Sequence, residues 1–325
     1  MRLLVTGGAG FIGSNFIRYR LANHPSDVIV DLDALTYAGN PENIRGLDPD
    51  RHLFIHGNIC DADVVHRAME GVDVVVHFAA ESHVDRSIKG SRVFLETNAL
   101  GTQTLLEEAA RREGQIKRFH HVSTDEVFGA LALNSRKRFN ESTPYDPRSP
   151  YSASKAASDH LVRAYHHTHH VPITISSCSN NYGPYHFPEK LIPLMIVNAL
   201  RDLPLPVYGD GKFVRDWIHV EDHCRGIEAV LMKGKIGETY CLGGNAERAN
   251  IDVVKMILRE LGKPETLIHF VKDRKGHDRR YAIDSTKAKN ELGWEPMRTF
   301  EDGLKETIEW FKKNETWWKP LLKKS

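Results

Sequence analysis

The feature that most constrains the fold is a glycine-rich turn close to the N-terminus. Residues Leu3–Thr6 are apolar or β-branched, and Gly7-Gly-Ala-Gly10-Phe-Ile-Gly13 follows them directly. This order predicts a strand, a tight turn and the start of a helix. Glycines let such a turn approach a pyrophosphate, whose charge is stabilised by the N–H groups and dipole of the helix N-terminus. The turn therefore predicts dinucleotide binding, and a turn needed only for close packing is the alternative.

The first half of the chain alternates β-branched runs with helical patterns. One helical stretch is Leu100–Arg112, in which apolar residues recur every three or four positions. Such alternation predicts βαβ units and an α/β fold with a doubly wound parallel Rossmann sheet. Val74-Val75-Val76 is apolar on both faces, as expected of a central strand. The predicted strands are Leu3–Thr6, Val28–Asp31, Leu53–His56, Asp73–Phe78, Phe119–Ser123 and Ile173–Cys178.

After about Gly183, proline-bounded segments replace this alternation. We expect residues 1–183 to form the dinucleotide-binding Rossmann domain, with a later segment near 213–243 returning to it. Residues 184–325 should mainly form a smaller C-terminal lobe that binds the substrate. Within this lobe, Phe300–Lys313 reads as an amphipathic helix.

The bulk composition excludes several classes of partner. Lys and Arg total 44 against 43 Asp and Glu, so a formal charge of +1 favours neither nucleic acid nor an anionic membrane. The longest apolar run, Val72–Ala80, is far shorter than the roughly 20 residues of a membrane helix. The N-terminus does not read as a signal peptide. The four cysteines are scattered without paired spacing, so we expect a cytoplasmic protein with reduced thiols and no metal.

The spacing GxxGxxG, rather than GxGxxG, resembles the short-chain dehydrogenase/reductase superfamily. Asp31 and Asp33 close the second strand about twenty residues on, where a carboxylate can accept hydrogen bonds from ribose hydroxyls and repel a 2′-phosphate. We assign this contact to Asp33 and predict NAD rather than NADP. Asn58-Ile59 follows the third strand, where the superfamily usually has Asp-Ile or Asp-Leu beside the adenine.

Tyr151 and Lys155 form a candidate proton relay. Ser149 can cap a helix whose first turn contains Pro150, so the tyrosine and lysine lie four residues apart on one helix face. A nearby ammonium favours phenolate and lowers the pKa of a tyrosine. Tyr151 could then take the proton from a hydroxyl while hydride leaves the same carbon. An exposed helical pair is the alternative interpretation.

Two adjacent carboxylates, Asp125 and Glu126, follow Ser123-Thr124 at the end of a predicted strand. In open α/β sheets, ligands bind beyond the carboxyl ends of the strands. The pair could therefore serve as the acid and base of a dehydration, although such a dipeptide is elsewhere often a solvated loop. Thr124 occupies the position of the superfamily's hydroxyl partner to the tyrosine.

The sequence resembles the nucleotide-sugar 4,6-dehydratases, and in particular those acting on dTDP-glucose, essentially from end to end. Several of the matching motifs are unspecific individually, but their occurrence together and in the same order along the chain makes the resemblance specific. The resemblance implies a lyase that oxidises C4 of the hexose with NAD, eliminates water across C5 and C6, and returns the hydride to C6. The matching segments include Thr6–Gly13, Asp33–Asn40, Ala79–Ser87, Ser123–Gly129, Tyr151–Lys155, Asn180–Pro184, Pro188–Pro193, Tyr208–Gly211, Arg215–Trp217 and Asp273–Tyr281.

The resemblance also implies the site residues. Tyr151 is the base toward O4, Glu126 the base toward C5, and Asp125 the acid toward the C6 hydroxyl; sequence alone leaves open which carboxylate keeps a proton. The predicted catalytic residues are Thr124, Asp125, Glu126, Tyr151 and Lys155. The predicted NAD-binding residues are Gly7, Gly10, Phe11, Ile12, Gly13, Asp33, Leu35, Thr36, Asn58, Ile59, Ala79, Ala80, Ser82, Thr97, Tyr151, Lys155 and Asn181. The predicted substrate-binding residues are His83, Thr124, Asn180, Lys190, Leu191, Tyr208, Arg215, Asn250, Arg274 and His277.

Several alternatives stay open at this point. A nucleotide-sugar 4-epimerase would use the same tyrosine and lysine but would leave Asp125-Glu126 unexplained, and UDP-glucose enzymes share most of these motifs. A non-enzymatic NAD sensor has no need for the full relay. His166-His167-Thr168-His169-His170 reads as a solvated helix end rather than a metal site. The resemblance further implies a homodimer, formed through two helices of the larger domain.

Overall fold

The computed structural model describes residues 1–323, in which the chain forms twelve strands and eleven α-helices. The strands are β1 (Arg2–Thr6), β2 (Val28–Asp33), β3 (His52–His56), β4 (Val74–His77), β5 (Arg118–Thr124), β6 (Ile173–Cys178), β7 (Asn180–Tyr182), β8 (Leu205–Tyr208), β9 (Val214–His219), β10 (Thr239–Leu242), β11 (Glu247–Ala249) and β12 (Ile268–Val271). The helices are α1 (Phe11–Asn23), α2 (Ala62–Ala68), α3 (Val84–Lys89), α4 (Arg92–Leu95), α5 (Thr102–Arg111), α6 (Pro150–His169), α7 (Leu191–Leu200), α8 (Val220–Lys233), α9 (Asn250–Glu260), α10 (Phe300–Lys313) and α11 (Glu315–Trp318). A π-helical segment, Glu96–Gly101, joins α4 to α5.

A seven-stranded sheet has the order β10-β6-β5-β4-β1-β2-β3, and each neighbouring pair in it is parallel. The predicted doubly wound α/β fold is therefore confirmed, as are all six predicted strands. β4 lies at the centre of the sheet, and Val74, Val75 and Val76 are all buried. Val74 and Val76 join one hydrophobic cluster and Val75 joins another, because successive side chains of a strand point to opposite faces.

Helices cover both faces of this sheet. On one face, Phe16 and Ile17 of α1 pack with Ile227 and Val230 of α8. The other face is covered by α2, α5 and α6, with buried Leu105 and Leu106 in the predicted helical stretch. Burial on both faces explains why the central strands are continuous apolar runs rather than alternating ones.

Most of the elements from β7 onward lie over the carboxyl edge of the large sheet. Strands β11, β9 and β7 form a three-stranded sheet, and β12 pairs with β8. A separate hydrophobic cluster joins α7, α9, α10 and the buried Trp317 and Trp318. Helix α10 has the predicted bounds, and the Thr299 side chain caps it. β10 pairs in parallel with β6 and forms an edge strand of the seven-stranded sheet.

Among residues 1–323, no helix is both long and apolar enough to cross a bilayer. The histidine-rich segment closes α6, where His170 adopts a left-handed conformation with φ of 56°. Within the described residues, no group of three His, Cys, Asp or Glu side chains is arranged to hold a metal ion.

Candidate active site

A cavity of about 520 Å³ opens at the carboxyl edge of the seven-stranded sheet, beneath the smaller elements. It brings together every predicted catalytic and substrate-binding residue, and all predicted NAD-binding residues except Leu35. Leu35 has φ of 49°, and its amide donates a hydrogen bond of 2.7 Å to Asp33 Oδ1. Its two chain neighbours, Ala34 and Thr36, line the cavity, whereas Leu35 itself does not.

The glycine turn has the backbone geometry that a pyrophosphate requires. Gly7 has φ of 74°, and a Cβ there would lie 2.8 Å from the Ala79 backbone. A Cβ on Gly13 would overlap the Gly7 carbonyl oxygen. Gly10 precedes the first turn of α1 in extended conformation, so free N–H groups of the helix N-terminus face the cavity edge. The absence of side chains here leaves a cradle that fits the diphosphate of a dinucleotide.

Asp33, rather than Asp31, reaches the cavity. Its two carboxyl oxygens accept hydrogen bonds from the Ala9 and Leu35 amides at 2.9 and 2.7 Å, which fixes the carboxyl group beside the glycine turn. Burial raises the pKa of Asp33 to about 6. Asp31 is fully buried within the sheet, 3.1 Å from His52 Nε2. The choice of Asp33 for the ribose contact is therefore consistent with its position.

Tyr151 and Lys155 lie on the first turns of α6, which begins as predicted. Ser149 and Ser152 form a reciprocal capping box, and Pro150 occupies the first turn. Lys155 Nζ donates a 2.9 Å hydrogen bond to the Val122 carbonyl oxygen. Burial raises the pKa of Tyr151 well above its ordinary value, and the charge of Glu126 adds to this. The prediction of a lowered Tyr151 pKa is thus wrong for the protein alone, because burial is the largest influence on this group.

Asp125 and Glu126 occupy a short 3₁₀ turn at the end of β5, where the Thr124 hydroxyl accepts a hydrogen bond from the Glu126 amide. Asp125 is 1% exposed, and Glu126 is half-buried. Burial and then the nearby Glu126 charge raise the pKa of Asp125 well above its ordinary value. Burial also raises the pKa of Glu126, but Arg274, Lys190 and Arg215 oppose that shift. The two adjacent carboxyls therefore have different surroundings, one favouring the protonated form and one facing cations.

Three cations gather on the side of the cavity facing Glu126. Lys190 Nζ donates to the Ser82 carbonyl oxygen at 2.8 Å, and the buried Arg215 guanidinium lies 4.3 Å from the centre of the Tyr281 ring. Arg274 Nη1 forms a 3.0 Å ion pair with Asp85. Arginine and lysine groups converging on one cavity suit a diphosphate.

The remaining predicted substrate residues line the same side. Tyr208 donates a 3.1 Å hydrogen bond to Asp85 Oδ2, and the His277 ring stacks on Phe213 with ring centres 3.6 Å apart. Among the described residues, Asn180 Oδ1, Asn250 Oδ1 and Arg274 Nε are buried polar atoms without a hydrogen-bond partner. Buried polar atoms are normally satisfied, so these unpaired atoms fit a polar ligand in the cavity.

Some lining residues were not predicted individually. Glu81, Glu189 and Tyr281 reach the cavity, and each lies inside a motif that carried the resemblance. Glu189 contacts Arg86 at 3.3 Å, so a Glu next to Lys190 joins two parts of the cavity wall. The motifs therefore indicate this part of the cavity wall, but the spacing of residues within a motif does not show which of its side chains face the cavity.

The fold and the cavity define a Rossmann-type protein with a dinucleotide cradle and an acid–base cluster. The family model of the GDP-mannose 4,6 dehydratases matches residues 4–307. A dTDP-glucose 4,6-dehydratase from Xanthomonas campestris pv. campestris (strain B100) is 54% identical, covering 98% of this chain and 95% of that protein. The chain belongs to the dTDP-glucose 4,6-dehydratase family.

Solved structures agree with this assignment. The dTDP-glucose 4,6-dehydratase DesIV from Streptomyces venezuelae, crystallised with NAD bound, has a TM-score of 0.95 and 51% identity, covering 99% of this chain and 100% of that chain. A UDP-glucuronic acid 4-epimerase from Bacillus cereus has a TM-score of 0.89 but 30% identity, covering 96% of this chain and 99% of that chain. The epimerase shares the fold at markedly lower sequence identity.

Proposed function

We propose that this protein is a hydro-lyase that converts dTDP-glucose to dTDP-4-keto-6-deoxyglucose with NAD as a resident cofactor. The observation that carries this proposal is the pair Asp125 and Glu126 beside Tyr151, with one carboxyl buried and the other facing Lys190, Arg215 and Arg274. The family assignment supports the same reaction and nucleotide.

NAD would be held by the glycine turn of Gly7–Gly13, by Asp33 at the ribose and by Lys155. When bound, NAD supplies a positively charged ring that accepts hydride from C4, returns it to C6 and favours the phenolate form of Tyr151. All of the proposed cofactor residues precede Gly183 and most of the proposed substrate residues follow it, which supports a division of the chain at this point. Residues 1–183 would form the NAD-binding part, with the segment near 213–243 returning to it, and residues 184–325 would mainly bind substrate.

The protein groups then act in sequence on the hexose. Tyr151, aided by Thr124 and Lys155, takes the O4 proton as hydride leaves C4, which gives a 4-ketone. The ketone acidifies the C5 proton, and Glu126 removes it. Asp125 donates its proton to the departing C6 hydroxyl, which leaves as water. Hydride then enters C6, and Glu126 returns its proton to C5.

The proton balance assigns the resting states of the two carboxyls. Asp125 must begin protonated and Glu126 ionised, which matches the different surroundings of the two groups. Tyr151 ends the cycle carrying the O4 proton, and Asp125 ends it without one. Each turnover therefore releases one proton from Tyr151 and restores one to Asp125, with no net oxidation or reduction.

Substrate binding follows from the other side of the cavity. Arg215, Arg274 and His277 would hold the diphosphate, and Asn180, Asn250, Lys190, Leu191 and Tyr208 would surround the sugar and nucleoside. His83 lies beside this group, and burial lowers its pKa to about 4, so it is neutral at working pH. Because Arg274 is paired with Asp85, a bound diphosphate would compete with Asp85 for this guanidinium.

One experiment tests the reaction against its nearest rivals. The protein is incubated with dTDP-glucose deuterated at C4, and the product is analysed by mass spectrometry. Loss of water with deuterium at C6 supports the dehydratase, whereas an unchanged mass indicates epimerisation or no reaction. A parallel incubation with UDP-glucose tests the nucleobase, and we expect slower turnover than with dTDP-glucose.

We further propose that the protein is a cytoplasmic homodimer. The four cysteines are free thiols, which suits a reducing compartment. Val93, Leu95 and Leu100 are 45%, 49% and 54% exposed on neighbouring helical turns of the larger part, and such exposed apolar side chains suit a helical contact between two copies. Light scattering coupled to gel filtration would give the mass of two chains, and a single-chain mass would contradict the dimer.

A further inference from the structure

A buried polar cluster adjoins Lys155 and takes no part in the steps above. His121 of β5 and Asp159 of α6 have fully buried side chains, and His121 Nε2 lies 3.2 Å from Asp159 Oδ1. Neither residue lines the cavity. A buried carboxylate is costly unless it is paired and hydrogen-bonded, so this cluster needs an explanation.

Asp159 is held as a carboxylate by several donors. Its Oδ2 accepts hydrogen bonds from Ser123 Oγ at 2.7 Å and Tyr145 Oη at 2.8 Å. Ser158 Oγ donates a 2.8 Å hydrogen bond to the Lys155 carbonyl oxygen, and His121 Nε2 lies 3.1 Å from Ser158 Oγ. Burial opposes ionisation, but the contact with His121 and the charge of Lys155 hold the pKa of Asp159 below its ordinary value.

Asp159 also supplies the negative charge nearest to Lys155 along the helix. The two residues lie one turn apart on α6, and Lys155 Nζ is 3.3 Å from His121 Nε2. Burial lowers the pKa of Lys155, and the Asp159 charge is the largest influence opposing that shift. The other titratable or charged groups facing this cluster are Tyr151 and Arg163 of α6, Tyr145 of the preceding loop, His120 of β5, His77 of β4 and Cys178 of β6.

Those neighbours cannot replace Asp159 as a counter-charge. Burial lowers the pKa of His77, His120 and His121, raises that of Cys178 to about 12, and raises those of Tyr145 and Tyr151. Without NAD, all six groups are therefore neutral near neutral pH, and Arg163 is positive. Only a protonated Lys155 stabilises the phenolate that takes the O4 proton, so loss of its charge would slow the first step.

We propose that Asp159 is a positioning residue that keeps Lys155 protonated during the oxidation at C4, with the hydroxyls of Ser123 and Tyr145 holding the carboxylate in place. This inference rests on the proposed function. It predicts that Asp159 sets the alkaline limit of the first chemical step, although it touches neither substrate nor cofactor.

The test measures the first step alone. In a Glu126→Gln background, dTDP-glucose is added to the NAD-loaded protein, and the rise in reduced-nicotinamide absorbance is followed in a single turnover across the pH range. The alkaline limb of the pH–rate profile is the range in which the rate falls as pH rises. We expect Asp159→Asn in that background to move this limb to lower pH by about one unit or more, since a nearby opposite charge shifts the pKa of a group such as Lys155 by about 1–3 units. At a pH that lies between the alkaline limb of the parent and that of the variant, the variant should be roughly tenfold slower for a shift of one pH unit. The matched control is Tyr145→Phe, which removes one hydrogen bond to Asp159 but keeps its charge and should leave the limb in place.

Thermal unfolding and the NAD released on denaturation are measured for every variant, because a structural defect would lower these at all pH values. A rate that falls by the same factor at every pH, with an unmoved limb, overturns the inference. Asp159→Ser, which leaves room for a water among the same donors, is the second variant. If neither variant folds with NAD bound, Asp159 serves the fold and the inference is wrong. If the Glu126→Gln parent does not reduce its NAD on addition of dTDP-glucose, the proposed function fails instead.

Discussion

Asp125→Asn separates the acid from the base in the proposed elimination. The Asp125 carboxyl is almost fully buried, and its Oδ2 has no hydrogen-bond partner among the described residues. A carboxamide has the same shape and the same neutral charge as the protonated acid, so the fold and the neighbouring Tyr151 should be preserved. It cannot donate a proton to a departing hydroxyl, however.

The expected loss is large because only the elimination depends on this proton. General acid catalysis contributes about 10²–10⁴ to a rate, which corresponds to about 3–5 kcal/mol in the barrier. We expect water loss to slow by that factor, while oxidation at C4 continues and reduced nicotinamide accumulates. Mass spectrometry of the products and absorbance of the bound cofactor measure these two steps independently.

Deuterium oxide distinguishes this variant from Glu126→Gln, which also blocks water loss. In Asp125→Asn, Glu126 still removes and returns the C5 proton, so dTDP-glucose recovered after reversal should gain deuterium at C5. In Glu126→Gln, C4 oxidation proceeds but C5 does not exchange. Exchange in Glu126→Gln and none in Asp125→Asn would show that the two roles are reversed. Water loss at the parental rate in Asp125→Asn would refute its assignment as the acid.

Three further outcomes test the cofactor cradle, the buried histidines and the C-terminal packing. Gly13→Ala should abolish bound NAD, measured after denaturation, because its methyl group overlaps the Gly7 carbonyl oxygen; Gly90→Ala, where a Cβ meets no atom within 4 Å, should retain NAD. His120 is buried between Thr174 and Ser176, and burial holds its pKa well below 6.5. Below pH 6.5 the His120 side chain gains a proton in the unfolded chain but not in the folded protein. The difference in free energy of unfolding between the parent and His120→Asn, measured by urea titration, should therefore shrink by about 1.4 kcal/mol per pH unit. A difference that does not change with pH would contradict a neutral buried ring. Trp318→Ala should lower the free energy of unfolding by about 3–5 kcal/mol, because the ring is 1% exposed. Met297→Ala, at a side chain 72% exposed, should change it by less than about 0.5 kcal/mol, and equal effects would refute the packing argument.

The large sheet could be predicted because its signals are local. Val74–Val76 is apolar on both faces, and the glycines of Gly7–Gly13 indicate a tight turn. Both features can be recognised from consecutive residues, without knowledge of which strands pair. The smaller elements differ in this respect. β7 and β11 have three residues each and pair with β9, whose partner residues lie 31 to 37 positions away in the chain. Such short strands have no usable periodicity.

The site shows the same limit for polar residues. Asp125 and Glu126 could be predicted because they follow a strand at its carboxyl end. Asp159 could not, because a charged residue within a helix ordinarily faces solvent. It is buried here only because β5 brings His121 and Ser123 against α6. Residues that act through other residues leave little trace in local spacing, since their partners are set by the tertiary fold.

Adjacent carboxyls can take opposite roles because their surroundings diverge over one short turn. The chain has almost no net charge, yet Lys190, Arg215 and Arg274 converge on Glu126. Asp125, one residue earlier, has the Glu126 charge as the largest electrostatic influence on it. Ionising Glu126 therefore stabilises the proton on Asp125, and the cations oppose the burial that disfavours that first ionisation. In the proposed mechanism, the same three cations that suit a diphosphate also favour Glu126 as the base, so substrate binding and the order of proton transfer would depend on one group of side chains.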